Sequence, residues 1–173
     1  MGTATIEKHP RKVIEVLLGA VLIVLTTFVP YLNLVNLFPF AGIILSGAAA
    51  AWVYIMRHQV PLSYRQAFFL GAQSGFTGGA MILLVIYMLL EKVRNLSEAE
   101  FQKLLAEWGG RMATDTTELY RQVMMVVNAP MEIKVISYLV SMVLIGLLFA
   151  PLAGLGSRLT VYLLKRQATK RGK

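Results

Sequence analysis

The chain has 173 residues, 57% hydrophobic and 15% charged, with a formal charge of +8 and no cysteine. The missing cysteine excludes disulfides, thiolate metal sites, catalytic thiols and S-acylation. The apolar residues fall in blocks close to the roughly twenty residues that cross a bilayer core, and the short alternating strands of a membrane barrel are absent.

The basic residues lie at the edges of these blocks, where they set orientation and meet anionic lipid. No aromatic and basic binding surface accompanies them, which argues against nucleic acid as a partner. The expected fold class is an all-α integral membrane protein, one membrane domain over residues 1–173. It has four transmembrane helices, at about 13–30, 37–56, 67–90 and 135–156. An extracytoplasmic amphipathic helical segment lies between the third and the fourth.

Residues 1–12 form a polar tail with Lys8, Arg11 and Lys12. The apolar run that follows is long for a signal peptide and has no convincing cleavage site, so it is expected to stay as the first span. Glu15 falls in its first turn, four residues after Arg11, and is expected to pair near the headgroups. A second expectation brings Glu15 close to Arg158 across the first and last helices. Pro30 ends or kinks the span. An uncharged turn with Tyr31, Phe38 and Phe40 suits the membrane interface. In the second helix Gly42, Ser46 and Ala50 give a small-xxx-small face.

Arg57, His58 and Arg65 occupy a short polar turn, and Ser63 with Gln66 makes a capping box for the next helix. That third helix carries Gly71, Gly75 and Gly79 at four-residue intervals, on one helical face. Such a face lets a neighbouring backbone approach closely, which matters in lipid because apolar association gains little there. The face of Gly42, Ser46 and Ala50 is its expected partner.

The outer segment, about 95–129, opens with a second capping box, Ser97 and Glu100. Phe101, Leu104, Leu105 and Trp108 then follow helical spacing, predicting an amphipathic helix over about 98–108. Gly109 and Gly110 break it, and a further helix is predicted over about 116–127. The last apolar block carries Gly146, Ala150 and Gly154, and Pro151 is expected to kink it. The preferred division is a span at 135–156 followed by a basic amphipathic extension over 157–173, the alternative being one long helix. Basic residues gather at the N-terminus, the 57–65 turn and the C-terminus. This bias puts both termini in the cytoplasm, with a bacterial inner membrane as the expected location.

With its spans placed, the chain resembles a family of small four-helix bacterial membrane proteins known only as a domain of unknown function. The likeness lies in the hairpin, the turn at Pro61–Gln66, the helix opening Phe68-Phe69-Leu70-Gly71, the polar outer segment and the basic end of the last helix. The resemblance implies architecture and no catalytic or binding residue.

Among candidate sites, His9 and His58 read as solvated groups at a tail and a helix end. No carboxylate lies in the middle of an apolar block, where proton relays place them. Ser46, Ser74, Ser137 and Ser141 lack an evident base. Met124, Met125 and Met131 read as flexible packing rather than a copper site. Neither a cofactor nor a metal is expected. Gln73, Ser74 and Thr77 form a polar cluster on the third helix, read as interhelical or backbone hydrogen bonding, with a ligand lining as the second reading. The expected function is non-enzymatic, acting through helix–helix or lipid contacts as an accessory subunit of a larger membrane complex or a homo-oligomer. The alternative is a transporter or small-ligand carrier with a polar cavity near Gln73, Ser74 and Thr77.

Overall fold

The computed structural model describes residues 12–29, 32, 40–94, 96–107 and 116–171, and the regular elements among them are all helices. Helix α1 spans Val13–Phe28 and α2 spans Ala41–His58. The hydroxyls of Thr26 and Thr27 donate back to carbonyls of the preceding turn at 2.8–3.0 Å, so these polar groups on an apolar helix are satisfied within it. Helix α2 ends where Gln59 turns left-handed at φ 54 and its N–H closes on the Ile55 carbonyl at 2.9 Å. Arg57 and His58, in its last turn, complement the negative end of the helix dipole.

Helix α3, Tyr64–Val93, starts at the expected capping box: Gln66 N–H donates to Ser63 Oγ at 3.2 Å and Ser63 N–H to Gln66 Oε1 at 3.1 Å. The helix exceeds the predicted 67–90 by about one turn at each end. Helices α4, Glu98–Glu107, and α5, Thr116–Val127, match the two predicted outer helices. They meet through the rings of Phe101 and Tyr120, 5.5 Å apart, and Tyr120 Oη donates to the Leu96 carbonyl at 3.2 Å. Trp108, Gly109, Gly110 and Asp115 lie outside the described residues, as do His9, Arg11 and residues 33–39.

The capping box of α4 is charged. Glu100 Oε2 accepts from Ser97 N–H and from Ser97 Oγ, both at 2.8 Å, and these bonds hold the Glu100 carboxyl below its usual range. A depressed native pKa contributes stability above the unfolded value and loses it as pH falls through the native one. The protection of the Ser97–Phe101 amides, measured relative to their intrinsic exchange rates, is therefore expected to fall once acid protonates Glu100. In Glu100→Gln that pH dependence of the protection is expected to vanish, and protection unchanged by pH in the parent would exclude the charged cap.

The last block is a single helix, α6, Met131–Arg171, which runs through Pro151. The helix is thus continuous across residue 156, where a basic extension was expected to begin. The glycines at 154 and 156 mark a contact rather than a break, because each lies against another helix. Helix α6 packs most extensively on α3 and next on α2, while α1 packs on α3 and α2. Helices α1 and α6 thus flank the α2–α3 pair from opposite sides. By length and composition α3 and α6 could cross a membrane, and α1 is a shorter apolar helix.

Candidate functional site

Small residues bring three helices together around Ala153 of α6, which is fully buried. A Cβ built on Gly47 of α2 would strike the Ala153 carbonyl oxygen, and one on Gly71 of α3 would strike that oxygen and Ser157 Oγ. One on Gly75 would meet the Phe149 carbonyl oxygen at 2.5 Å, and one on Gly79 the Ile145 side chain at 3.1 Å and the Gly146 backbone at 3.2 Å. Reciprocally, a Cβ on Gly156 of α6 would strike the Ile44 carbonyl oxygen of α2. Ser157 Oγ donates to the Gly47 carbonyl at 2.6 Å, which closes the seam between α2 and α6.

Gly71, Gly75 and Gly79 are therefore a packing face, but their partner is α6 rather than Gly42, Ser46 and Ala50. These three are buried in α2; Ser46 Oγ donates to the Ile43 carbonyl of its own helix at 2.7 Å, and Ala50 lies beside Gly19 of α1. Spacing identifies a smooth face without identifying what covers it. On α6, Gly146 and Gly154 receive the rings of Phe76 and Phe68, and Ala150 between them is partly buried. The face of α6 that meets two helices at once is carried by Ala153, Gly156 and Ser157, and its four-residue spacing, Ala153 to Ser157, is present in the sequence.

A second feature lies where α1 begins and α2 ends. Glu15 is completely buried, with Oε1 3.0 Å from His58 Nε2 and 3.5 Å from Arg57 Nη1. The His58 ring stacks obliquely on buried Tyr54, centroids 4.8 Å apart, and Lys12 Nζ lies 5.9 Å over the Tyr54 ring. Among the described residues, Glu15 Oε2 and Tyr54 Oη have no hydrogen-bond partner. His58 is thus a hydrogen-bond partner of buried Glu15, which corrects its reading as a solvated helix end. Glu15 pairs with α2, while Arg158 lies over the Tyr64 ring at 5.9 Å. The signal was available: an antiparallel hairpin puts the first turn of one helix beside the last turn of the next.

Gln73, Ser74 and Thr77 do not converge. Gln73 is exposed, Thr77 Oγ1 donates to the Gln73 carbonyl at 2.8 Å, and Ser74 is buried with its hydroxyl against Gly19. A cavity of about 180 Å³ lies elsewhere, between the end of α3, the end of α5 and the start of α6. Leu83, Ile86 and Val127 contribute apolar walls, and Glu91 and Lys134 are its charged groups. No group of three or more metal-ligating side chains forms among the described residues. Comparison with protein-family models, curated proteins and solved structures gives no match.

Proposed function

We propose that the protein is an integral membrane protein crossing a bacterial inner membrane four times, through α1, α2, α3 and α6, with both termini in the cytoplasm. In this reading it acts without catalysis, as a rigid helical element whose outer surface contacts lipid and neighbouring membrane helices, in a homo-oligomer or a larger complex. The observation that carries the reading is the outward surface of α6. Leu139, Val140, Val143, Leu144, Leu147 and Leu148 are all about half exposed or more. Soluble monomers rarely expose apolar patches beyond a few hundred Å², whereas lipid is a suitable solvent for such a surface. The interlocked seam beneath it supports a rigid element. A carrier finds less support, because its three candidate lining residues share no cavity.

At 41 residues, α6 is about 60 Å long, more than the 40–45 Å of a whole bilayer. Its last turns, with Lys165, Arg166 and Lys170, then project on the basic side, in keeping with the positive-inside rule. The absence of cysteine makes the topology directly testable. In intact cells stripped of the outer membrane, an impermeant maleimide is expected to label Gln102→Cys, and to label Pro61→Cys and Gln167→Cys only after permeabilisation. Labelling of all three in intact cells, or of none before lysis, would overturn the topology. Native mass spectrometry of the gently solubilised protein then separates a heteromeric complex from a homo-oligomer, and a lone monomer would remove the assembly role.

A further inference from the structure

The cavity between the end of α3 and the start of α6 combines charged, polar and apolar groups in one slot. Its charged groups, Glu91 and Lys134, come from different helices and carry opposite signs. They stand more than 4.0 Å apart, since neither forms an ion pair among the described residues. Below them lie Tyr87 and Tyr138, ring centroids 5.8 Å apart, and further along α3 come Ile86 and Leu83. Gly79 is near the middle of α3, and Glu91, twelve residues further on, lies about 18 Å along the axis. If the midpoint of α3 sits at the bilayer centre, Glu91 falls just outside the roughly 15 Å half-thickness of hydrocarbon and Leu83 well inside it. Along α3 the slot thus passes from charged Glu91 to apolar Ile86 and Leu83 at the depth where a phospholipid does, while α6 faces it with Ser137, Tyr138 and Ser141.

We propose that this slot binds one zwitterionic phospholipid whose headgroup carries a phosphate and a primary ammonium. The phosphate sits at Lys134, the ammonium donates to Glu91, and the first part of an acyl chain lies along Leu83 and Ile86. An anionic headgroup would satisfy Lys134 but set a second negative charge beside Glu91. A quaternary ammonium has no N–H to donate to that carboxylate. The charge pair therefore selects for both groups together. The proposal rests on the membrane reading above.

The test uses full-length protein in detergent, titrated with phosphatidylethanolamine, phosphatidylglycerol or phosphatidylcholine of matched chains and observed by native mass spectrometry. One phosphatidylethanolamine is expected to bind about tenfold more tightly than either of the others. In Glu91→Lys the slot holds two cations, and the preference is expected to invert towards phosphatidylglycerol. Lys134→Gln should weaken binding of all three lipids, which share the phosphate, while the preference set by Glu91 and the helical content seen by circular dichroism are kept. Equal affinities in the parent, or a preference unchanged in Glu91→Lys, would overturn the proposal. Carbonate washing of membranes separates this result from failure of the membrane reading. Protein that stays in the washed membranes yet binds all three lipids alike removes the slot alone, and protein released by the wash removes both.

Discussion

Alanine at Gly47 or Gly156 is expected to release α2 from α6 and to be among the most destabilising single methyl additions in the protein. In each case the new Cβ would fall on a main-chain carbonyl oxygen, that of Ala153 for Gly47 and that of Ile44 for Gly156. A backbone held in a helix has no rotamer to escape into, so the axes must separate. Separation also breaks the 2.6 Å bond from Ser157 Oγ to the Gly47 carbonyl and loosens the contacts of Ala153 with Gly71 and Gly75. Overpacking typically costs 1–3 kcal/mol, and about 3 kcal/mol or more is expected here because backbone rather than side chain must move. Gly78→Ala provides the contrast: its Cβ would meet only the Ile23 side chain, at 2.7 Å from the mobile Cδ1 and 3.1 Å from Cβ, with no carbonyl oxygen among its nearest atoms. Reversible unfolding in mixed micelles should rank Gly47→Ala and Gly156→Ala well below Gly78→Ala. Equal losses at all three positions would mean that the close α2–α6 approach does not hold the helices together. Ser157→Ala is expected to lose only the hydrogen bond, about 0.6 kcal/mol and at most about 1.7.

These residues also show what the chain discloses about its own fold. The extents of α1, α4 and α5 and the starts of α3 and α4 follow from local signals, namely apolar runs and two serine capping boxes, which act over three or four residues. The choice of α6 as partner for the glycine face of α3 is not local. Gly42, Ser46 and Ala50 offer α3 a face of the same spacing as Gly146, Ala150 and Gly154, and periodicity has no term that prefers one to the other. The decision falls to shape: Phe68 and Phe76 of α3 need recesses, and Gly154 and Gly146 supply them. The continuity of α6 past Pro151 was hidden for a related reason. Proline and the glycines after it read as breakers in water, while inside a packed bundle the same glycines serve as contact points.

The buried carboxylate is the other place where local reading fell short, and it leads to a measurable coupling. His58→Leu is expected to cost about 3 kcal/mol, because Glu15, with no exposed surface, would lose its closer partner. Arg57 remains at 3.5 Å, but its side chain is half exposed, so water competes for it and it cannot replace the imidazole. Adding Glu15→Leu to that variant removes the buried charge as well. The Glu15→Leu/His58→Leu double variant is then expected to recover at least 1–2 kcal/mol, since apolar replacements of whole buried ion pairs are often neutral or stabilising. Unfolding of the parent, both single variants and the double variant in mixed micelles closes the cycle. Additive losses would show that Glu15 and His58 do not interact, whereas recovery in the double variant would identify the pair as a clamp between the start of α1 and the end of α2. The same comparison at raised salt sharpens the result. A pair shielded from solvent should keep its coupling where a surface pair would lose it. A clamp of this kind gains little net stability, and its use is positional: only when α1 and α2 are in register does the Glu15 carboxylate find the imidazole, so a helix shifted by one turn leaves a charge buried without a partner.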